Sequence, residues 1–166
     1  MFTKIMIPTD GSVLGDIAAA EGIRTAAKLG AEVFFIHVAR EYEKSGLGKS
    51  ISKVDYEAAV KVAGEKILHP LELLASEMGV KHKSVLGIAN HIALAIVREA
   101  KEYGCDMIFI GSNGCAGWDH VLMGSVSNKV LASAEVPVLV YRLREHELPA
   151  DSPNYHESAV FVFPPA

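Results

Sequence analysis

Several short stretches of this chain are apolar with no polar residue between: Ile5-Met6-Ile7, Val33-Phe34-Phe35-Ile36, Met107-Ile108-Phe109-Ile110 and Val138-Leu139-Val140. A strand with one wet face alternates apolar and polar side chains. Unbroken runs of this kind suit strands covered on both faces, as in parallel sheets. The segments between the runs carry helical spacing, so strands and helices take turns along the chain. That alternation predicts an α/β fold with a parallel sheet and right-handed crossovers.

The elements can be bounded. Lys4 to Thr9 reads as the first strand. Ser12 is a good N-cap, Leu14, Ala18, Ala19, Gly22, Ala26 and Leu29 follow helical spacing, and Gly30 closes the helix at C′. Glu32 to Val38 is the second strand and 41–51 a loop. Ser52 to Met78 is helical but contains Pro70, which predicts a kink or two helices; Gly79 closes it. Val80 to Leu86, with Lys81 and Lys83 on one face, suits an edge strand guarded by charge. Ile88 to Tyr103 is a helix, Asp106 to Ile110 a strand, Ser112 to Met123 a loop, Gly124 to Ala134 a helix and Val136 to Tyr141 the last strand. Four of the seven prolines fall after residue 145. The expected organisation is therefore one domain over 1–143 and a tail or arm over 144–166. Within that tail, Ala159-Val160-Phe161-Val162-Phe163 has the pattern to pair along a sheet edge.

Composition narrows the function. Sixteen Lys and Arg against twenty Asp and Glu give a net charge of −4, a poor footprint for nucleic acid. No apolar run approaches the ~18 residues of a membrane span. The opening residues lack the layout of a signal peptide. Two cysteines, Cys105 and Cys115, make neither a disulfide framework nor a metal spacing. A reducing, cytoplasmic compartment is expected.

The chemistry concentrates at Gly111-Ser112-Asn113-Gly114, followed nine residues later by Gly124-Ser125. This segment leaves a strand and enters a helix. Glycine lets backbone approach a ligand closely. The N–H groups of Gly124, Ser125, Val126 and Ser127 at the helix start are candidates for an anion site, naturally a phosphate. Other signals are weaker. Gly48-Lys49-Ser50 resembles the end of a P-loop, but position 43 is Glu and no strand precedes it directly. Asp10 ends a strand as in phospho-acceptor domains, yet the third strand ends without an acceptor Asp. His37 is expected as a core or supporting residue rather than a ligand, Cys105 as inert, and Cys115 as unactivated.

The glycine pattern resembles that of the universal stress protein family, whose nucleotide-binding members carry Gly, two residues, Gly, nine residues, Gly-Ser/Thr. The resemblance extends to Ile5-Met6-Ile7-Pro8-Thr9-Asp10-Gly11-Ser12, to Ile36-His37-Val38, and to Gly124-Ser125-Val126-Ser127 followed by Val136-Pro137-Val138-Leu139-Val140. It covers roughly residues 2 to 143. It implies a single five-stranded parallel sheet in the order 3-2-1-4-5, and ATP or AMP as a regulatory ligand. In open α/β sheets ligands sit where the strand order reverses, here between the first and fourth strands. By similarity, Pro8, Thr9 and Asp10 line the adenosine end, with Asp10 toward a ribose hydroxyl, and Val38 meets adenine through its backbone. Gly111, Asn113 and Gly114 run beneath the phosphates, and Gly124, Ser125, Val126 and Ser127 bind them. A slow ATP hydrolase and a nucleotide-free interaction protein are the alternatives.

The loop departs from the family pattern. Members that bind ATP often have Arg after the second glycine, where this chain has Cys115. Asp119 is the only formal charge between Gly111 and Asn128, Trp118 is expected to anchor the loop, and His120 supplies no fixed charge. A divalent cation, Mg²⁺ or Mn²⁺, bound through the phosphates is therefore expected. In the implied order the fifth strand lies at an edge, and the nearly uncharged run from Val136 to Tyr141 predicts a homodimer formed through it.

Overall fold

The computed structural model describes residues 1–43, 52–112 and 123–142. Their order is β1 (Lys4–Pro8), α1 (Val13–Leu29), β2 (Glu32–Ala39), α2 (Lys53–Glu77), β3 (His82–Ile88), α3 (Ile92–Glu102), β4 (Met107–Gly111), α4 (Ser125–Ser133) and β5 (Val138–Tyr141). The five strands form one parallel sheet in the order β3-β2-β1-β4-β5. This is the expected architecture.

The unbroken apolar runs of β1, β2 and β4 are explained by two cores, whereas that of β5 is not covered on both faces, because this strand lies at the sheet edge with Leu139 exposed. Because side chains alternate along a strand, Ile5, Ile7, Val33, Phe35, Met107 and Phe109 face one side, where Ala19, Ile23 and Ala26 of α1 and Leu68, Leu71 and Ala75 of α2 cover them. Met6, Phe34, Ile36, Ile108 and Ile110 face the other side, against Ala95, Ile96 and Ala100 of α3 and Val130 of α4. On the first side α1 lies close, since a Cβ on Gly22 would stand 2.7 Å from Ile7 Cδ1.

The first helix begins and ends as its sequence indicates. Ser12 Oγ accepts from Gly15 N at 3.0 Å, and Gly30 closes α1 in the left-handed region at φ 67°. Four features differ from the sequence reading. α2 runs unbroken through Pro70, so it is not two helices. Pro70 is exposed, as is Lys66 one turn back, whose carbonyl loses the donor that a proline cannot supply. α3 begins at Ile92, not Ile88, because the ladder to β2 carries on through Ile88↔Ala39 and a further bond from Ala89 N to Ala39 O of 2.9 Å. β3 itself starts at His82, leaving Lys81 before it; Lys83 stays exposed at the edge. β5 starts at Val138, after Pro137 has given its carbonyl to Ile108 N.

The amino terminus is tied to the start of β4. Asp106 accepts from the hydroxyl and amide of Thr3 and from the amide of Lys4, at 2.8 to 3.1 Å. Partial burial opposes its charge, but these bonds outweigh it and hold the carboxyl below its ordinary value. Among the described residues no helix is long and apolar enough to cross a membrane. The proposed tail lies outside the described residues.

Candidate functional site

The site forms where the strand order reverses, between β1 and β4. Even-numbered residues of β1 direct their backbone groups toward β4, as Lys4 O does in accepting from Asp106 N at 2.9 Å. Pro8 therefore meets β4 where the ladder needs a donor, and proline has none. Paired register between β1 and β4 is confined to Ile5↔Met107 and Met6↔Ile108, although β4 runs on to Gly111. On its other side β1 stays paired to β2 as far as Pro8↔Ile36. One proline thus ends the pairing between neighbouring strands at their carboxyl ends, the place where open α/β sheets hold ligands.

The turn after β1 forms one wall. Thr9 is buried, its N–H donating to Ile36 O at 2.9 Å. Its hydroxyl donates to Asp16 Oδ1 and accepts from Gly11 N, both at 3.1 Å. Gly11 has φ 74°, a left-handed conformation that glycine adopts without strain. Asp10 is exposed, with Oδ1 oriented by Ser12 N at 3.0 Å and Ser12 Oγ at 2.6 Å. Gly15 allows this approach: a Cβ there would lie 2.6 Å from Asp10 Oδ1. Desolvation by burial pushes the Asp16 carboxyl up to about 6; the Thr9 hydroxyl partly opposes this and the charge of Asp10 adds to it.

The second wall is β2. Odd-numbered residues there bond to β3, as Val33 N does to Lys81 O and Ala39 O does from Ala89 N, while even-numbered residues turn to β1. Val38 is even-numbered and lies beyond the last β1 residue paired to β2. Its N–H and C=O are consequently a neighbouring donor and acceptor aimed past the end of β1. His37 is half-buried and its Nδ1 lies 3.0 Å from Thr9 O.

The third wall joins β4 to α4. Ser112 N donates to Tyr141 O and Gly124 N donates to Ser112 O, each at 2.7 Å. Ser127 is buried and its hydroxyl donates to Gly111 O at 2.8 Å. These bonds seat the first turn of α4 on the end of β4. Gly124 is the N-cap and offers no side-chain acceptor, so among the described residues the N–H groups of Ser125, Val126 and Ser127 have no capping partner, and at these positions no intrahelical one. The arrangement suits a ligand with a polar planar edge at one end and an anion at the other.

The sequence model of the universal stress protein family matches residues 1–142. The chain belongs to that family. It is 34% identical over 149 residues to universal stress protein MJ0531 of Methanocaldococcus jannaschii, covering 89% of this chain and 86% of that protein. The solved structure of MJ0577, titled a structure-based assignment of biochemical function, aligns with a TM-score of 0.69 at 28% identity, over 87% of this chain and 99% of the other. A universal stress protein from Archaeoglobus fulgidus, solved in complex with dAMP, has the same fold at 19% identity, with a TM-score of 0.59 over 84% of this chain and 97% of that one.

Within this universal stress protein, Pro8, Thr9, Asp10 and Val38 are brought together at the ends of β1 and β2, and Gly111, Gly124, Ser125, Val126 and Ser127 at the junction of β4 and α4. Asn113 and Gly114, with Cys115, Trp118, Asp119 and His120, lie outside the described residues. One of the expected phosphate donors, the Gly124 amide, has other employment. The Gly124 N–H is spent on Ser112 O, and the Ser127 hydroxyl is spent on Gly111 O, leaving Ser127 only its amide. Cys105 is buried, which pushes its thiol up to about 12 and makes it inert. Asp16 was not visible as a site residue in the sequence. A signal existed: it is the one charge among Val13-Leu14-Gly15-Asp16-Ile17-Ala18-Ala19-Ala20.

Proposed function

We propose that this universal stress protein binds an adenine nucleotide, ATP or AMP, as a regulatory ligand at the end of β1. The observation that carries the reading is the Val38 backbone pair aimed past Pro8. Adenine presents an acceptor, N1, beside a donor, the N6 amino group. A strand residue whose N–H and C=O are unclaimed among the described residues offers the complement. Guanine presents the reverse order, a donor at N1 beside an acceptor at O6, and meets donor with donor. The exposed carboxylate of Asp10, oriented by Ser12, is suited to accept from a ribose hydroxyl. The amides of Ser125, Val126 and Ser127 suit phosphate oxygens, aided by the helix dipole. The dAMP complex of the A. fulgidus protein, alike in fold, is consistent with this reading.

Nucleotide released from purified protein is expected to be adenine nucleotide by mass spectrometry. Titration calorimetry on stripped protein is expected to give binding of ATP and AMP and much weaker binding of GTP. Equal affinity for ATP and GTP, or none for either, would refute the reading.

The same reading includes a homodimer through β5. β5 is the outer strand beyond β4, and Leu139 is 39% exposed on it. An apolar edge left bare invites strand pairing. Sedimentation is expected to give a dimer mass for the wild type at micromolar concentration and a monomer mass for Leu139→Lys. A wild-type monomer would remove the dimer, and a dimer that survives the substitution would move the interface elsewhere.

A further inference from the structure

We propose that His37 is a positioning residue: its ring takes the Thr9 carbonyl in place of the Val38 amide and so keeps that amide open to the nucleobase. This rests on the adenine-nucleotide reading above. The argument starts from the parallel ladder, in which one residue donates its N–H to one neighbour on the next strand and accepts at its C=O from the neighbour two places on. Thr9 makes the first of these bonds, N–H to Ile36 O at 2.9 Å. Regular continuation would bring Val38 N–H to Thr9 O. Among the described residues no backbone donor meets that carbonyl; the His37 ring does, with Nδ1 at 3.0 Å.

A carbonyl only accepts, so Nδ1 carries the hydrogen, and the neutral ring is the Nδ1–H tautomer. The ring therefore does two things. It satisfies a carbonyl belonging to a buried residue, which would otherwise seek the Val38 amide. It also fixes the peptide plane that leads into Asp10. The rest of Thr9 is held independently, since its hydroxyl is bonded to Asp16 and Gly11. Without the ring, the donor that the regular ladder would bring to this carbonyl is the Val38 N–H. That bond would lengthen the β1–β2 ladder by one step and mask the donor that reads adenine N1.

The test uses the full chain with His37→Asn, His37→Gln and His37→Leu. In Asn the donor nitrogen stands as many bonds from the backbone as Nδ1; in Gln it stands further out. ATP and GTP are titrated into each, and exchange of the Val38 amide is followed by NMR. His37→Asn is expected to keep ATP affinity within about twofold. His37→Gln and His37→Leu are expected to lose roughly five- to tenfold for ATP, about one hydrogen bond, with GTP nearly unchanged. The Val38 amide is expected to exchange roughly tenfold more slowly in His37→Leu, by about the same one bond. A general loss of structure would instead speed that exchange and would not be rescued by Asn. Unchanged ATP preference and unchanged Val38 exchange in His37→Leu would overturn the proposal. If the wild type binds no ATP, the nucleotide reading fails, and the exchange measurement still decides what His37 does.

Discussion

Asp16→Asn is expected to stabilise this protein at about pH 7.5 and to have little effect near pH 4, a pattern set by the protonation of one buried carboxyl. Asp16 lies in the first turns of α1 against Thr9, and burial raises it from 3.8 to about 6. The folded state thus holds a proton that the unfolded chain has released. For a group raised in the folded state, the stability it confers is complete below about 3.8 and is lost as the pH climbs through about 6. At neutral pH the carboxylate is therefore a cost. Its upper bound is roughly 3 kcal/mol at 1.36 kcal/mol per pH unit; because the group is partly solvated, about 1–2 kcal/mol is expected. Asparagine keeps an oxygen to accept from Thr9 Oγ1 and carries no charge. Urea unfolding of both proteins from about pH 4 to 8 gives the answer. Parallel stability curves over that range would show that Asp16 is ionised without cost.

A cost of this size beside the candidate site fits the way sites depart from packing rules. It also explains what could be read from the sequence. The fold was legible because it depends on redundant signals: apolar runs for strands covered on both faces, helical spacing between them, Ser12 and Gly30 as caps. The Gly111 to Gly124 pattern marked the exit of β4 and the start of α4 for a similar reason, since glycine acts on the chain locally, while the order that sets β4 beside β1 came from the family resemblance. Ser127 and His37 behave differently. Each hydroxyl or ring nitrogen is committed to a carbonyl far along the chain, Gly111 for one and Thr9 for the other, and no local pattern reveals a partner brought in by the sheet. Boundaries failed for a similar reason. Ile88 has helical spacing with the residues after it, yet its backbone belongs to the ladder with Ala39, and pairing outweighs spacing there.

The commitment of Gly124 and Ser127 sharpens what is expected at the phosphate end. Among the described residues three amides at the start of α4, those of Ser125, Val126 and Ser127, have no partner and would serve the proposed anion, and no Lys or Arg occurs between Gly111 and Asn128. Amides at a helix start contribute about 0.3–1 kcal/mol each at exposed positions and up to ~2 kcal/mol when partly buried. That suits the single phosphate of AMP better than the several charges of ATP. ATP is therefore expected to bind little better than AMP in the presence of chelator, and Mg²⁺ or Mn²⁺ to favour ATP selectively. Cys115→Arg is expected to improve ATP binding without metal more than AMP binding, by up to about tenfold for one charge-assisted bond. The largest loss is expected from Gly114→Val. A phosphate that approaches the backbone at Gly114 has no room beside a branched side chain, so binding of both nucleotides should disappear while the far-ultraviolet circular dichroism stays that of the wild type. Calorimetry that returns wild-type affinity for Gly114→Val would take the phosphates off the Gly111 to Gly124 segment. Tight ATP binding in chelator would mean that a basic group from elsewhere, on this chain or on a second copy, reaches them.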